Sequence, residues 1–315
     1  MTGADSGAAW SGLLRRRRGV LFFAFAFAVM ADPVSSVAYA IEAALRALGG
    51  HLELLLPTMG LVIGLIALVT LNYWQLVKAF PEGGGSPEAA GRAFGQGWAF
   101  MPIGALVVDF ALTIAISIAA AGSALVALVP GLASERILID LLLVAGVAAL
   151  TWFGHGGRLV FAVMTVVFIV ASILVLGLGW LHPHDAYASA PITHAASPAV
   201  VAVILAFPVA MALATGTEAP ATSIAQLGQL GNRDKYRFGR GTLGLTIFIV
   251  GGLTMGLTAL AVHLHVGIPP HDQTQISELA GRPLGAERCS ASSSSRAGCC
   301  CWRQRPPRSR PVPAS

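Results

Sequence analysis

Seven stretches of this chain, roughly 19–48, 52–78, 97–129, 136–153, 159–181, 198–228 and 241–266, are almost uninterruptedly apolar. Each is close to or above the roughly 20 residues that a helix needs to cross a bilayer. Hydrocarbon offers backbone N–H and C=O groups no partner, so a segment of this kind crosses as a helix that bonds internally. That pattern restricts the fold to an all-α polytopic membrane protein with about seven transmembrane helices. Composition agrees, because only 11% of residues are charged, against about 25% in soluble domains.

Basic residues set the expected orientation. With the N-terminus in the cytoplasm, eleven of them fall on the inner side: Arg15 to Arg18, Lys78, Arg92, Arg158, Arg233, Lys235, Arg237 and Arg240. Up to residue 281 the outer side receives only Arg46 and Arg136. The positive-inside rule therefore predicts a multi-pass protein of the cytoplasmic (inner) membrane with a cytoplasmic N-terminus, 1–18. The net charge of +5 follows from that topology and excludes a nucleic-acid surface. The first apolar run has no A-x-A-like cleavage site and reads as a helix rather than a signal peptide.

Two of the spans carry a polar interruption. Pro33-Val34-Ser35-Ser36-Val37-Ala38 in the first and Pro220-Ala221-Thr222-Ser223-Ile224-Ala225 in the sixth share one pattern: proline, small, hydroxyl, serine, β-branched, alanine. Each follows a carboxylate, Asp32 or Glu218. The first span runs outward and the sixth inward, as an inverted repeat of five plus five helices requires. Paired interruptions in corresponding spans point to a binding site at the repeat interface of a transporter. A half-helix N-terminus after the first break suits a carboxylate, and half-helix C-termini suit a cation or ammonium.

At these residues the chain resembles the amino acid–polyamine–organocation (APC) superfamily of permeases. "DPVSSVAYAIEAA" is similar to its broken first helix and "FPEGGGSPEAAGRAFG" to its loop after helix 2. "VVDFALTIAISIAAAGSAL" is similar to helix 3 and "ATGTEAPATSIAQL" to the broken sixth helix. The resemblance covers about residues 15–275. It implies the LeuT-type inverted-repeat fold, here incomplete, with helices 1 and 6 broken; 19–181 would form the first five-helix repeat and 198–266 the start of the second. It also implies secondary transport of amino acids by alternating access, coupled to a proton, with no cofactor.

Carried over by residue, the resemblance assigns substrate contacts to Met30, Asp32, Val34, Ser35 and Ser36 and to Ala214, Thr215, Gly216 and Thr217. Backbone N–H groups around Val34, Ser35 and Ser36 would hold the substrate carboxylate. Carbonyls near Met30 and Ala214 would hold its ammonium. Glu218, Asp109 and Asp32 are candidates for coupling, since a desolvated carboxylate can exchange a proton with substrate. Phe207 and Met211, a turn apart, would line the pocket or gate it, or simply pack. Some proton-coupled relatives place a lysine on helix 5, where this chain offers only Arg158.

Other motifs carry less. Gly83-Gly84-Gly85 lacks the G-K-[ST] ending of a phosphate loop and reads as a tight cytoplasmic turn. His182, His184 and His194 have no compact ligand spacing, so no metal site is expected. No H-E-x-x-H or G-x-S-x-G occurs, and the chain is not expected to be an enzyme. From 282 to 315 the periodicity is lost to Arg, Ser, Pro and all four cysteines, a composition that reads as an aberrant, disordered tail, such as a shifted reading frame would produce. Ending after helix 7 would leave the second repeat short. The expected function is thus an amino-acid permease in truncated form. The alternatives are a non-transporting truncated membrane protein and an APC-related potassium or cation transporter.

Overall fold

The computed structural model describes residues 19–80, 82–152, 155–181, 198–227, 231–269 and 274–281. They all belong to one compact unit, Met1–Gly285; the second unit, Ala286–Ser315, contains none of them. The aberrant tail expected over 282–315 and the histidines of the 182–197 loop thus lie outside the described residues.

The described residues form helices and connections, with no strand. In chain order they are α1 (Gly19–Ala47, interrupted at Met30), α2 (Leu52–Ala79), α3 (Gly85–Phe94), α4 (Phe100–Leu128), α5 (Arg136–Trp152), α6 (His155–Leu181), α7 (Ala199–Ala210), α8 (Ala219–Ser223), α9 (Asn232–His263) and α10 (Gln275–Gly281). Among the described residues, six apolar helical stretches are long enough to cross a membrane: Gly19–Ala47, Leu52–Ala79, Gln96–Leu128, Leu159–Leu181, Ala199–Ser223 and Asn232–His263. The fourth expected span appears as α5, whose 17 residues make it the shortest of the series. The chain is an all-α, polytopic membrane protein.

The surface confirms the solvent for which these helices are built. Phe100, Met101, Leu128, Ile137, Trp152 and Phe248 are each at least two-thirds exposed. Large side chains displayed along whole helices suit hydrocarbon, whereas a water-soluble monomer rarely shows contiguous apolar patches beyond a few hundred Å². Burial concentrates where α1, α2, α7 and α9 meet, around Met30, Val37, Ile41, Leu55, Met59, Leu213, Leu257 and Leu260. Because lipid removes most of the hydrophobic drive between helices, close backbone approach has to supply the packing. The α2–α9 seam shows this: a Cβ at Gly251 would lie 3.4 Å from Ile63, and one at Gly239 only 2.6 Å from Val77.

Local rules explain where α1 stops. Gly49 and Gly50 take φ of 63° and 86°, and their N–H groups bond back to Arg46 and Leu45 oxygens at 3.0 Å each. This is a Schellman motif, which satisfies carbonyls that a helix end leaves orphaned. Nearby, Glu42 fastens two groups at once. It pairs with Arg46 at 2.9 Å and accepts the Gln275 N–H of α10 at 3.1 Å. Arg46 in turn donates to the Pro269 carbonyl at 2.8 Å. The segment after α9 is thereby tied to that end of α1.

Candidate functional site

The sixth apolar segment is broken, and its sequence says how. Pro208 inside α7 removes the N–H that would bond to the Ile204 carbonyl. A 3-10 turn, Met211–Ala214, follows, and helical hydrogen bonding lapses over Thr215–Glu218. Thr215 is extended, with φ −57° and ψ 135°. Gly216 sits at φ +77°, a left-handed conformation that costs other residues about 1–2 kcal/mol. Pro220 then opens α8 from within its first turn, where its fixed φ suits a helix start.

Much of the polar backbone in this break is already bonded locally. The Thr215 hydroxyl donates to the Ala212 carbonyl at 3.0 Å and the Thr217 hydroxyl to the Ala214 carbonyl at 2.8 Å. The Thr217 N–H also reaches the Ala214 oxygen, at 3.2 Å. The carbonyl expected to hold an ammonium at Ala214 therefore already accepts two hydrogen bonds.

In the first segment the interruption is narrower than expected. Only Met30 leaves the helical assignment, and Asp32 to Ser36 lie within the helical stretch Ala31–Ala47. The Val34 N–H bonds to the Met30 oxygen at 3.0 Å, and the Met30 N–H to the Ala26 oxygen at 2.9 Å. Ser35 and Ser36 donate their hydroxyls to the Asp32 carbonyl at 2.7 and 3.3 Å. The unwound run of N–H groups at Val34, Ser35 and Ser36, expected to cradle a carboxylate, is corrected to a helical turn. The reason is positional: Pro33 is the third residue of the restarted helix, in the first turn, where N–H groups have no intrahelical partner anyway. Lacking an N–H, Pro33 cannot bond the Val29 carbonyl four residues before it.

The two interruptions nevertheless meet. A Cβ built on Gly216 would come within 2.5 Å of Asp32 Oδ2 and 2.8 Å of Pro33 Cδ. The break of the sixth segment is thus pressed against the residues that restart the first. Asp109, on α4, faces the same place, with Thr215 Oγ1 at 3.4 Å from its Oδ1, a long and weak approach. Glu218 is buried, 7% exposed, and its Oε1 has no hydrogen-bond partner among the described residues. Further along α1, the Ser36 hydroxyl and Tyr39 phenol are 2.9 Å apart. Phe207 and Met211 are partly buried and pack against the core cluster.

The region thus gathers carboxylates and hydroxyls from α1, α4 and the broken sixth segment. The ion pairs of Arg46, Arg92 and Lys235 go to Glu42, Glu88 and Glu82, and none among the described residues reaches Asp32, Asp109 or Glu218. The three acids do not converge as chelators, because no group of three His, Cys, Asp or Glu side chains among the described residues could hold a metal ion. Any of the three that is ionised places negative charge inside an apolar bundle, where low dielectric makes charge act strongly.

Comparison with known proteins fits this arrangement. The potassium transporter KimA of Bacillus subtilis (strain 168) is 28% identical over 266 residues, a stretch that covers 81% of this chain and 43% of KimA. The chain therefore spans less than half the length of that relative. A family model described as amino acid permease matches residues 21–286, which takes in both interruptions and every helix described above except the first two residues of α1. The chain belongs to the amino acid permease family of the APC superfamily.

Proposed function

We propose that this chain forms the substrate-holding part of a secondary transporter, and that the substrate group it holds is a monovalent cation, with potassium the leading case. The observation that carries the reading is the meeting of Asp32–Pro33 with Gly216 beside the buried Glu218, whose Oε1 has no hydrogen-bond partner among the described residues. An isolated carboxylate is expensive inside a membrane and marks an ion or substrate pathway. A cation entering between the interruptions would find the Val29 carbonyl, the threonine hydroxyls and the field of Asp32, Asp109 and Glu218. The name of the Bacillus relative supports potassium as that cation. Alternating access would follow from motion of the broken segments, in an inverted-repeat arrangement whose first half is 19–181 and whose second begins at 198–266.

A second reading, an amino acid as substrate with its ammonium at the same carboxylates and proton coupling through Glu218, is favoured by the description of the family model. It lacks the run of free N–H groups at Ser35 and Ser36 that a substrate carboxylate would use. Purified chain in proteoliposomes, with its N-terminal side expected to be cytoplasmic, separates the readings. Uptake of radioactive rubidium that potassium competes away supports the first. Uptake of a radiolabelled amino acid without rubidium uptake overturns it in favour of the second. Uptake of neither leaves a non-transporting membrane protein.

A further inference from the structure

The triple glycine after α2 is more than a turn. Gly83, Gly84 and Gly85 take φ of 92°, 98° and 50° in succession, a path barred to other residues without strain. It brings bare backbone onto the inner half of the broken sixth segment. A Cβ at Gly83 would stand 2.9 Å from Ala225 Cβ and 3.0 Å from the Thr222 oxygen, and one at Gly85 2.9 Å from Thr222 Cγ2. Beside this contact, Lys235 at the start of α9 reaches back to Glu82, with Nζ at 3.3 and 3.2 Å from its two carboxylate oxygens.

The two partners of that ion pair are unlike. The Lys235 side chain is 5% exposed and that of Glu82 77%. A buried ammonium needs a counter-charge, while the carboxylate is wet and can leave into water without being stranded. The Tyr73 hydroxyl, 2.9 Å from the Ser86 hydroxyl, fixes the far side of the turn to α2. One face of the clamp is therefore rigid and the other breakable.

We infer that the Glu82–Lys235 pair and the Gly83–Gly85 turn form a latch that holds the inner half of the broken segment, Ala219–Gln226, shut against α2 and α9, and that this half is released when the pair parts. The inference rests on the transporter reading for the purpose of the motion, but its test does not need transport. In the full chain with Cys289, Cys299, Cys300 and Cys301 replaced by serine, Thr222→Cys reports release by its reaction with a membrane-impermeant maleimide applied at the Lys235 face. Leu257→Cys, in the core and fully buried, reports global loosening.

Glu82→Gln should speed labelling at position 222 by about tenfold, the scale of a lost charged hydrogen bond. The reversed pair Glu82→Lys with Lys235→Glu should bring the rate back toward the parent. Position 257 should stay unlabelled throughout. Unchanged labelling in Glu82→Gln, no recovery in the reversed pair, or labelling of both reporters together would overturn the latch. A latch that behaves as stated in a chain that takes up neither rubidium nor amino acid would sink the transport reading and leave the hinge standing.

Discussion

Gly216→Ala concentrates the account of the broken segments into one methyl group. At φ +77° alanine loses about 1–2 kcal/mol through its Cβ and the following carbonyl. Its methyl would also lie 2.5 Å from Asp32 Oδ2 and 2.8 Å from both Asp32 Cγ and Pro33 Cδ. Those atoms belong to a carboxylate near its own backbone and to a ring, neither of which can swing far, so overpacking adds about 1–3 kcal/mol. The sum is a loss of about 2–5 kcal/mol, read as a fall in the thermal unfolding midpoint of purified protein. The double variant Asp32→Ala with Gly216→Ala removes the carboxylate half of the clash and should recover about 0.5–3 kcal/mol beyond additivity. Gly252→Ala is the control: a Cβ there meets nothing within 4 Å, and in a helix interior alanine is favoured by up to about 1 kcal/mol. If Gly216→Ala unfolds where the parent does, or if Asp32→Ala brings no recovery, the two interruptions do not touch as described.

Three further outcomes follow from other residues. Glu218→Gln replaces a buried carboxyl whose Oε1 has no partner among the described residues; its unfolding midpoint should equal or exceed that of the parent while rubidium uptake falls, and a marked loss of stability would mean the carboxyl is structurally bonded. Glu42→Gln weakens both the Arg46 pair and the bond from Gln275, at a cost of about 1–3 kcal/mol; a cycle with Arg46→Met measures the shared part, and a coupling near zero would refute the tie. Gly251→Leu should destabilise by about 1–3 kcal/mol by forcing α9 away from Ile63, whereas Gly252→Leu should be nearly neutral, and equal effects at both would contradict the α2–α9 seam.

Much of this arrangement is legible in the sequence, for identifiable reasons. Apolar runs fix the helices because hydrocarbon leaves the backbone no alternative. In the sixth span the interruption read at Pro220 to Ala225 instead holds α8 and a 3-10 turn, and the helix lapses just before it, over Thr215 to Glu218, the stretch marked by the resemblance to permeases. The six-residue likeness between the first and sixth spans misleads on one point. It suggests equal unwinding, but a proline acts by its place in the helix, and Pro33 falls in a first turn that tolerates it. Ser35 and Ser36 then bond the Asp32 carbonyl within the helix instead of leaving backbone free. Contacts such as Glu82 with Lys235 and Glu42 with Gln275 join residues 153 and 233 positions apart. In the sequence, Lys235 counts only as one more inner basic residue, and nothing local marks it as buried.

The central claim, that Asp32 and the broken sixth segment hold a cation between them, is met most directly by equilibrium binding of radioactive rubidium to the purified chain and to Asp32→Asn. Saturable binding to the parent that potassium displaces, weakened by about tenfold or more in the variant, is the predicted result, a loss of at least about 1.4 kcal/mol. Equal affinity in the two proteins, with both still folded, would contradict it.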